Sequence, residues 1–144
     1  MPPPIQAKHL DHLTLVVADL DATRRFYCGL LGMQQVDRPA FSFPGSWFQL
    51  GDMMVHIILE HDASCPAGNP APPNERAKRS HHIAFELAGD PDQVLEAIHQ
   101  HNVPIIKGPQ VRPDNAFQLF VQDPDGHVIE LSKANHHAQQ RLEQ

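Results

Sequence analysis

An α+β domain made of two βαβββ repeats is what this sequence predicts, and three observations lead to it. Residues 9–18 and 81–87 alternate apolar with other side chains at the period of a strand. Each of these runs is followed by a capped helical pattern, and each helical pattern by three short strand-like runs. Between the two rounds, residues 62–80 are rich in Pro, Ala, Asn and charge, the composition of a linker.

In the first repeat, approximately residues 9–61, Asp19 or Asp21 can cap a helix whose apolar stripe is Leu20, Phe26, Tyr27, Leu30 and Leu31, with Gly32 as its stop. Strands follow at residues 34–37, 47–50 and 53–60. In the second repeat, approximately residues 81–133, Asp90 caps, Pro91 takes the first helical position, Val94, Leu95 and Ile98 form the stripe, and Val103-Pro104 ends it. Strands follow at residues 104–107, 116–122 and 127–132, the last two joined by the turn Asp123-Pro124-Asp125-Gly126. Residues 134–144 are polar, a short helix or a frayed tail. A half of about 60 residues buries little alone, so the halves are expected to pack as a single domain over residues 1–144 or to exchange with a partner chain in a homodimer.

Composition narrows the function. With 144 residues, 41% of them hydrophobic, and a net charge of -6 from 17 acidic and 11 basic residues, the chain can bury a core but has no basic stripe for a phosphate backbone. Nucleic acid is therefore not an expected partner. Nor is a membrane, because no apolar run approaches the ~20 residues of a span. The first residues, Met1-Pro2-Pro3-Pro4, do not resemble a signal peptide. Cys28 and Cys65 form no CxxC pair and suit free thiols, so a cytoplasmic location is expected.

Eleven histidines stand out, and strand parity sorts them, because side chains two apart share a face. Leu13, Leu15 and Val17 oppose His12, Thr14 and Val16; Val55, Ile57 and Leu59 oppose Met54, His56 and Ile58. In the second repeat Ile83, Phe85 and Leu87 oppose His82, Ala84 and Glu86, and Ile129 and Leu131 oppose Val128, Glu130 and Ser132. The helices should cover the apolar faces and leave the mixed faces lining a concavity. Superimposing the repeats brings His12 onto His82 and His56 onto Glu130. Neutral imidazoles and one carboxylate can bind one divalent ion, Zn, Ni, Fe or Mn, and leave positions open for substrate or water. His9, His61, His81, His99, His101, His127, His136 and His137 fall on opposite faces, helix surfaces or loops and are read as non-ligands. Trp47, Phe48 and Phe120 are candidate walls of a small-molecule pocket, and Arg38 and Arg112 candidate anion clamps beside it.

The run from Leu10 to Leu20, LDHLTLVVADL, followed by Phe26-Tyr27 and Leu30-Leu31-Gly32, closely resembles the opening of glyoxalase, fosfomycin-resistance and related vicinal oxygen chelate proteins. DPDGHVIEL, residues 123–131, is similar to that family's terminal hairpin, and His82-Ile83-Ala84-Phe85 to the strand opening its second repeat. The resemblance spans His9 to Ser132. It implies paired βαβββ modules around a metal, with Glu130 as ligand and as the obvious base. It also implies that adjacent oxygens of a substrate chelate the ion. His56 stands where glyoxalase I-like enzymes usually carry Glu, the only Tyr is in the first helix's apolar stripe, and residues 114–122 lack the basic side chains expected around a phosphonate. A metal-dependent isomerase or lyase acting on a small oxygenated substrate is the resulting expectation. An extradiol-type dioxygenase, a fosfomycin-type transferase and a drug-sequestering binder are the alternatives.

Overall fold

The computed structural model describes residues 1, 3–68 and 79–134. The predicted tail, most of it, and most of the linker lie outside the described residues. The chain divides into two compact units, Met1–Ala67 and Gly68–Gln144. Each contains one four-stranded mixed sheet, and together with the few helices they make an α+β fold.

In the first unit, β1 (His12–Val17) leads through α1 (Leu20–Arg24) to β2 (Gln34–Val36), β3 (Gly45–Leu50) and β4 (Met53–Leu59), in the sheet order β1-β4-β3-β2. Asp19 is the cap. Its carboxylate accepts from the N–H groups of Asp21 (2.8 Å) and Ala22 (3.1 Å), satisfying donors that the first helical turn leaves without partners. Beyond Arg24 the helix widens into a π-type turn over Arg25–Leu30, with Leu31 N–H donating to Phe26 O, five residues back. Gly32, at φ 78°, ends it in a conformation that favours glycine. Apolar periodicity does not distinguish this wider turn from regular helix, so the sequence predicted only the stripe. Tyr27 from that stripe stacks on Phe48 of β3 at 6.2 Å, and both are wholly buried with Val17, Val55 and Ile57. This is the apolar face anticipated from parity.

In the second unit, β5 (Ile83–Glu86), α2 (Pro91–Gln100), β6 (Ile105–Val111), β7 (Phe117–Gln122) and β8 (Val128–Lys133) repeat the order as β5-β8-β7-β6. In both units the first strand runs parallel to the last and the other pairings are antiparallel. Asp90 caps α2 by accepting from Asp92 N–H at 2.8 Å. Ile129, Leu131, Leu119, Val121 and Phe85 share the buried face.

Several strand boundaries differ from expectation, and two of them lie in the second unit beside its donors. β6 continues past Lys107 through Gly108-Pro109, with register breaks between Ile105 and Lys107 and between Lys107 and Gln110. Gly108, at φ 98°, lies so close to the neighbouring strand that a Cβ there would sit 2.8 Å from Gln118 O. Glycine and proline in sequence look like strand breakers, whereas here they form an irregularity inside a strand. His82, predicted on a strand, lies one residue ahead of β5.

Candidate metal centre

The first unit brings two histidines face to face. β1 and β4 align Thr14 with His56 and His12 with Met54, which places both imidazoles on the same face. Their rings stack with centroids 3.9 Å apart and planes 16° apart. Trp47, opposite His56 in the β3–β4 register, extends the stack from the other side at 4.0 Å and 2°. His12 Nδ1 is 2.7 Å from Asp11 Oδ2, a contact that restrains the ring, leaves Nε2 as its other nitrogen and holds the Asp11 carboxyl below its usual range. His56 Nε2 is buried and has no hydrogen-bond partner. Burial first, then the neighbouring His12, lowers the pKa of His56, which keeps the imidazole neutral and able to donate a lone pair.

The second unit pairs His82 with Glu130. His82 Nδ1 lies 2.9 Å from Ser80 O. A carbonyl only accepts, so Nδ1 carries the hydrogen, and in the neutral ring Nε2 is left with a lone pair. That Nε2 faces Glu130 Oε2 at 3.8 Å. Both atoms offer lone pairs toward the same space, an arrangement that suits a metal cation between them. Glu130 is only 7% exposed, and a carboxylate so buried needs partners. Its Oε1 accepts from Gln118 Nε2, and Gln118 Oε1 in turn accepts from Gln110 Nε2 at 2.7 Å. Phe120, opposite Glu130 in the β7–β8 register, meets the His82 ring edge-on at 5.5 Å.

Not every predicted residue belongs with these pairs. Phe48 pairs with Val55 and is wholly buried against Tyr27, so it is a core residue and not a pocket wall. Arg112 is held by Asp114 through two contacts, Nε to Oδ1 at 3.0 Å and Nη2 to Oδ2 at 2.7 Å, which occupy the fork an anion clamp would use. Arg38 has no such partner among the described residues; its guanidinium carbon lies 4.8 Å from the Phe41 ring and 4.9 Å from that of Phe43. Gln118, Gln110 and Asp11 were not singled out from sequence. Gln118 has the face of Glu130 on the adjacent strand, a signal that only the register makes readable.

The ligand-type atoms of Asp123, Asp125 and His127 also lie within 4.8 Å of one another. These atoms hold the turn. Asp123 Oδ1 accepts from the N–H groups of Asp125 (2.9 Å) and His127 (2.8 Å), and Oδ2 meets His127 Nδ1 at 2.7 Å. His127, read from sequence as a non-ligand, is a buried partner of this turn.

Two half-sheets of identical topology, each presenting imidazole or carboxylate donors on its mixed face, make a recognisable arrangement, and a family model matches residues 9–131. The chain belongs to the glyoxalase/bleomycin resistance protein/dioxygenase superfamily. It is 34% identical over 123 residues to the glutathione transferase FosA of Serratia marcescens, covering 85% of this chain and 78% of that one. It is 28% identical over 131 residues to virulence protein STM3117 of Salmonella typhimurium, covering 86% and 83%. The fosfomycin resistance protein FosX of Listeria monocytogenes has a similar fold, with a TM-score of 0.71 at 19% identity over 95% of this chain and 99% of that one.

Proposed function

We propose that this superfamily member is a metal-dependent isomerase or lyase acting on a small oxygenated substrate, with one divalent ion, Zn, Ni, Fe or Mn, held by His12, His56, His82 and Glu130. The observation that carries this reading is the set of unpartnered lone pairs. His82 Nε2 faces Glu130 Oε2, and His56 Nε2 is buried without a donor or acceptor. The donor set fits a borderline cation that keeps open coordination positions. Such an ion would supply Lewis acidity toward a substrate carbonyl or enediolate.

The chain's own residues supply the rest. Glu130 Oε2, when it detaches from the ion, is the atom that takes a proton from substrate carbon and returns it, while the Gln118 amide holds Oε1. Trp47 and Phe120 form apolar walls beside the two donor pairs and limit water there. Because each unit holds two of the four donors, the pairs must meet within one chain or across a homodimer. Mixing His12→Ala chains with Glu130→Ala chains separates the two: exchanged pairing restores one complete site per mixed dimer, whereas pairing within the chain restores none. A cytoplasmic location fits the free thiols of Cys28 and Cys65.

Metal analysis after chelation and refilling, together with solvent deuterium exchange into 2-oxo and 2-hydroxy compounds, tests the reading. About one ion per chain and metal-dependent exchange are expected. Undiminished metal binding by a His12→Ala/His82→Ala double variant would refute the ligand set, and absence of exchange across the panel would refute proton transfer. The 34% identity to a glutathione transferase favours a second reading, thiol transfer to fosfomycin. Metal-dependent loss of glutathione in the presence of fosfomycin identifies it.

A further inference from the structure

Arg38 follows β2 and lies within the first unit, the unit that holds His12 and His56. The residues around it form a receptacle for its side chain. Phe41 and Phe43, stacked on each other at 5.4 Å, both meet the guanidinium. Gly45 lies beneath it: a Cβ at that position would stand 3.0 Å from Nη2 and 3.1 Å from Cζ, and 2.2 Å from Ile57 O. Any side chain there would displace the arginine and collide with the backbone of β4. The Nε atom is buried and has no hydrogen-bond partner.

Among the described residues no carboxylate pairs with this cation, in contrast to Arg112 and its Asp114. The guanidinium is nevertheless tied to the donor pair. Phe41 meets Trp47 at 6.3 Å, and Trp47 stacks on His56 at 4.0 Å. Aromatic faces stabilise a guanidinium and hold its plane, but they leave its hydrogen-bond donors unused. The planar fork of a half-buried arginine beside an apolar wall matches a carboxylate, received at the part of the guanidinium that is not covered.

We infer that Arg38 is the receptor for a carboxylate carried by the substrate in addition to its chelating oxygens, which narrows the substrate class to small oxygenated acids. This rests on the metal reading for the chelating end, but the charge selectivity belongs to Arg38 alone.

The experiment compares malate with its β-carboxamide, which keeps the 2-hydroxy acid end and removes only the distal charge. Affinities are measured by calorimetry on metal-loaded and metal-free protein, for wild type, Arg38→Met and Arg38→Lys. Wild type is expected to bind malate at least about 10-fold more tightly than the carboxamide, the scale of a charge-assisted pair. In Arg38→Met that ratio falls to about one, with malate losing more affinity than the carboxamide, while metal content stays unchanged. Arg38→Lys, a point charge without the fork, retains part of the preference. A ratio unaltered in Arg38→Met, or a wild type that does not prefer malate, overturns the proposal. If wild type holds no metal, the metal reading fails, and the charge ratio in metal-free protein still decides the role of Arg38. Should Arg38→Met not fold, Arg38→Lys and Arg38→Gln provide the same comparison of fork, charge and neutral amide.

Discussion

Replacing Gln118 with Leu removes the amide that holds Glu130 while nearly preserving volume. Glu130 sits on the central strand β8 and is almost entirely buried, so water cannot readily take the place of the lost donor. The bond removed is one from an amide to a carboxylate, and such bonds contribute about 1.5–3 kcal/mol. Without it the carboxylate is expected to turn, and that change must be reversed before it can ligate. Residues that orient a ligand typically alter metal affinity by about 10- to 100-fold, in agreement with that energy. Gln118→Leu should therefore weaken metal binding by this factor at neutral pH, and Gln110→Leu by less, because Gln110 acts only through Gln118. Competition against a chromophoric chelator measures the affinity, and circular dichroism establishes that the variant is folded. A folded Gln118→Leu protein whose affinity stays within about twofold of wild type, or rises, would refute the claim that the amide orients a ligand.

Three further outcomes are expected. Phe48→Ala should lower stability by about 3–5 kcal/mol in denaturant titration, as for a fully buried aromatic, and leave metal stoichiometry unchanged; loss of ligand binding without loss of stability would return Phe48 to the pocket wall. Asp123→Ala should destabilise the protein, since three donors lose their acceptor, yet keep one ion per chain; loss of the ion in a folded variant would make the turn a metal site. For the metal-free protein, the lowered pKa of His56 gives a definite sign. The folded state binds this proton less readily than the unfolded state, so its contribution is complete above the ordinary value of 6.5 and is lost as pH falls from there through the lower folded value. Stability measured between pH 7.5 and 5 should fall less steeply in His56→Gln than in wild type, and an identical slope would contradict the shift.

The repeat, the caps and the two-faced strands were legible because each depends on local chemistry. Asp19 and Asp90 cap where their side chains can reach the backbone, and parity alone put His12 and His56 on one face. What parity could not decide was which member of an adjacent pair faces the donors. Trp47 and Phe48 differ only through the register of β3 with β4, and that register depends on nonlocal pairing. Arg38 and Arg112 looked equivalent for a similar reason. Asp114, two residues from Arg112, is a local partner that sequence could have revealed, whereas the Phe41, Phe43 and Gly45 surroundings of Arg38 depend on the folded chain. The contact of His127 with Asp123, four positions back, was not read from sequence because it depends on how the turn between them folds. The strand running through Gly108-Pro109 was hidden because the same residues serve as breakers and as bulge formers.

The two donor pairs are topologically equivalent and chemically different, and the difference bears on the kind of centre they would form. In the first unit both donors are imidazoles, stacked on each other and on Trp47, with Nε2 of His56 shielded from solvent. In the second, one imidazole faces a carboxylate whose other oxygen is tied to a chain of amides. Together they would place a single negative charge against a divalent ion, leaving a net charge of about +1 to draw substrate oxygens. A closed structural zinc site commonly uses thiolates that cancel that charge, but neither cysteine is part of these pairs. The all-imidazole side is suited to holding the ion under either protonation state of substrate. On the carboxylate side, Glu130 would both ligate and, when detached, serve as the base of the proposed reaction. In the proposed site, His56 and Glu130, at equivalent places on β4 and β8, would thus divide retention of the ion from movement of the proton.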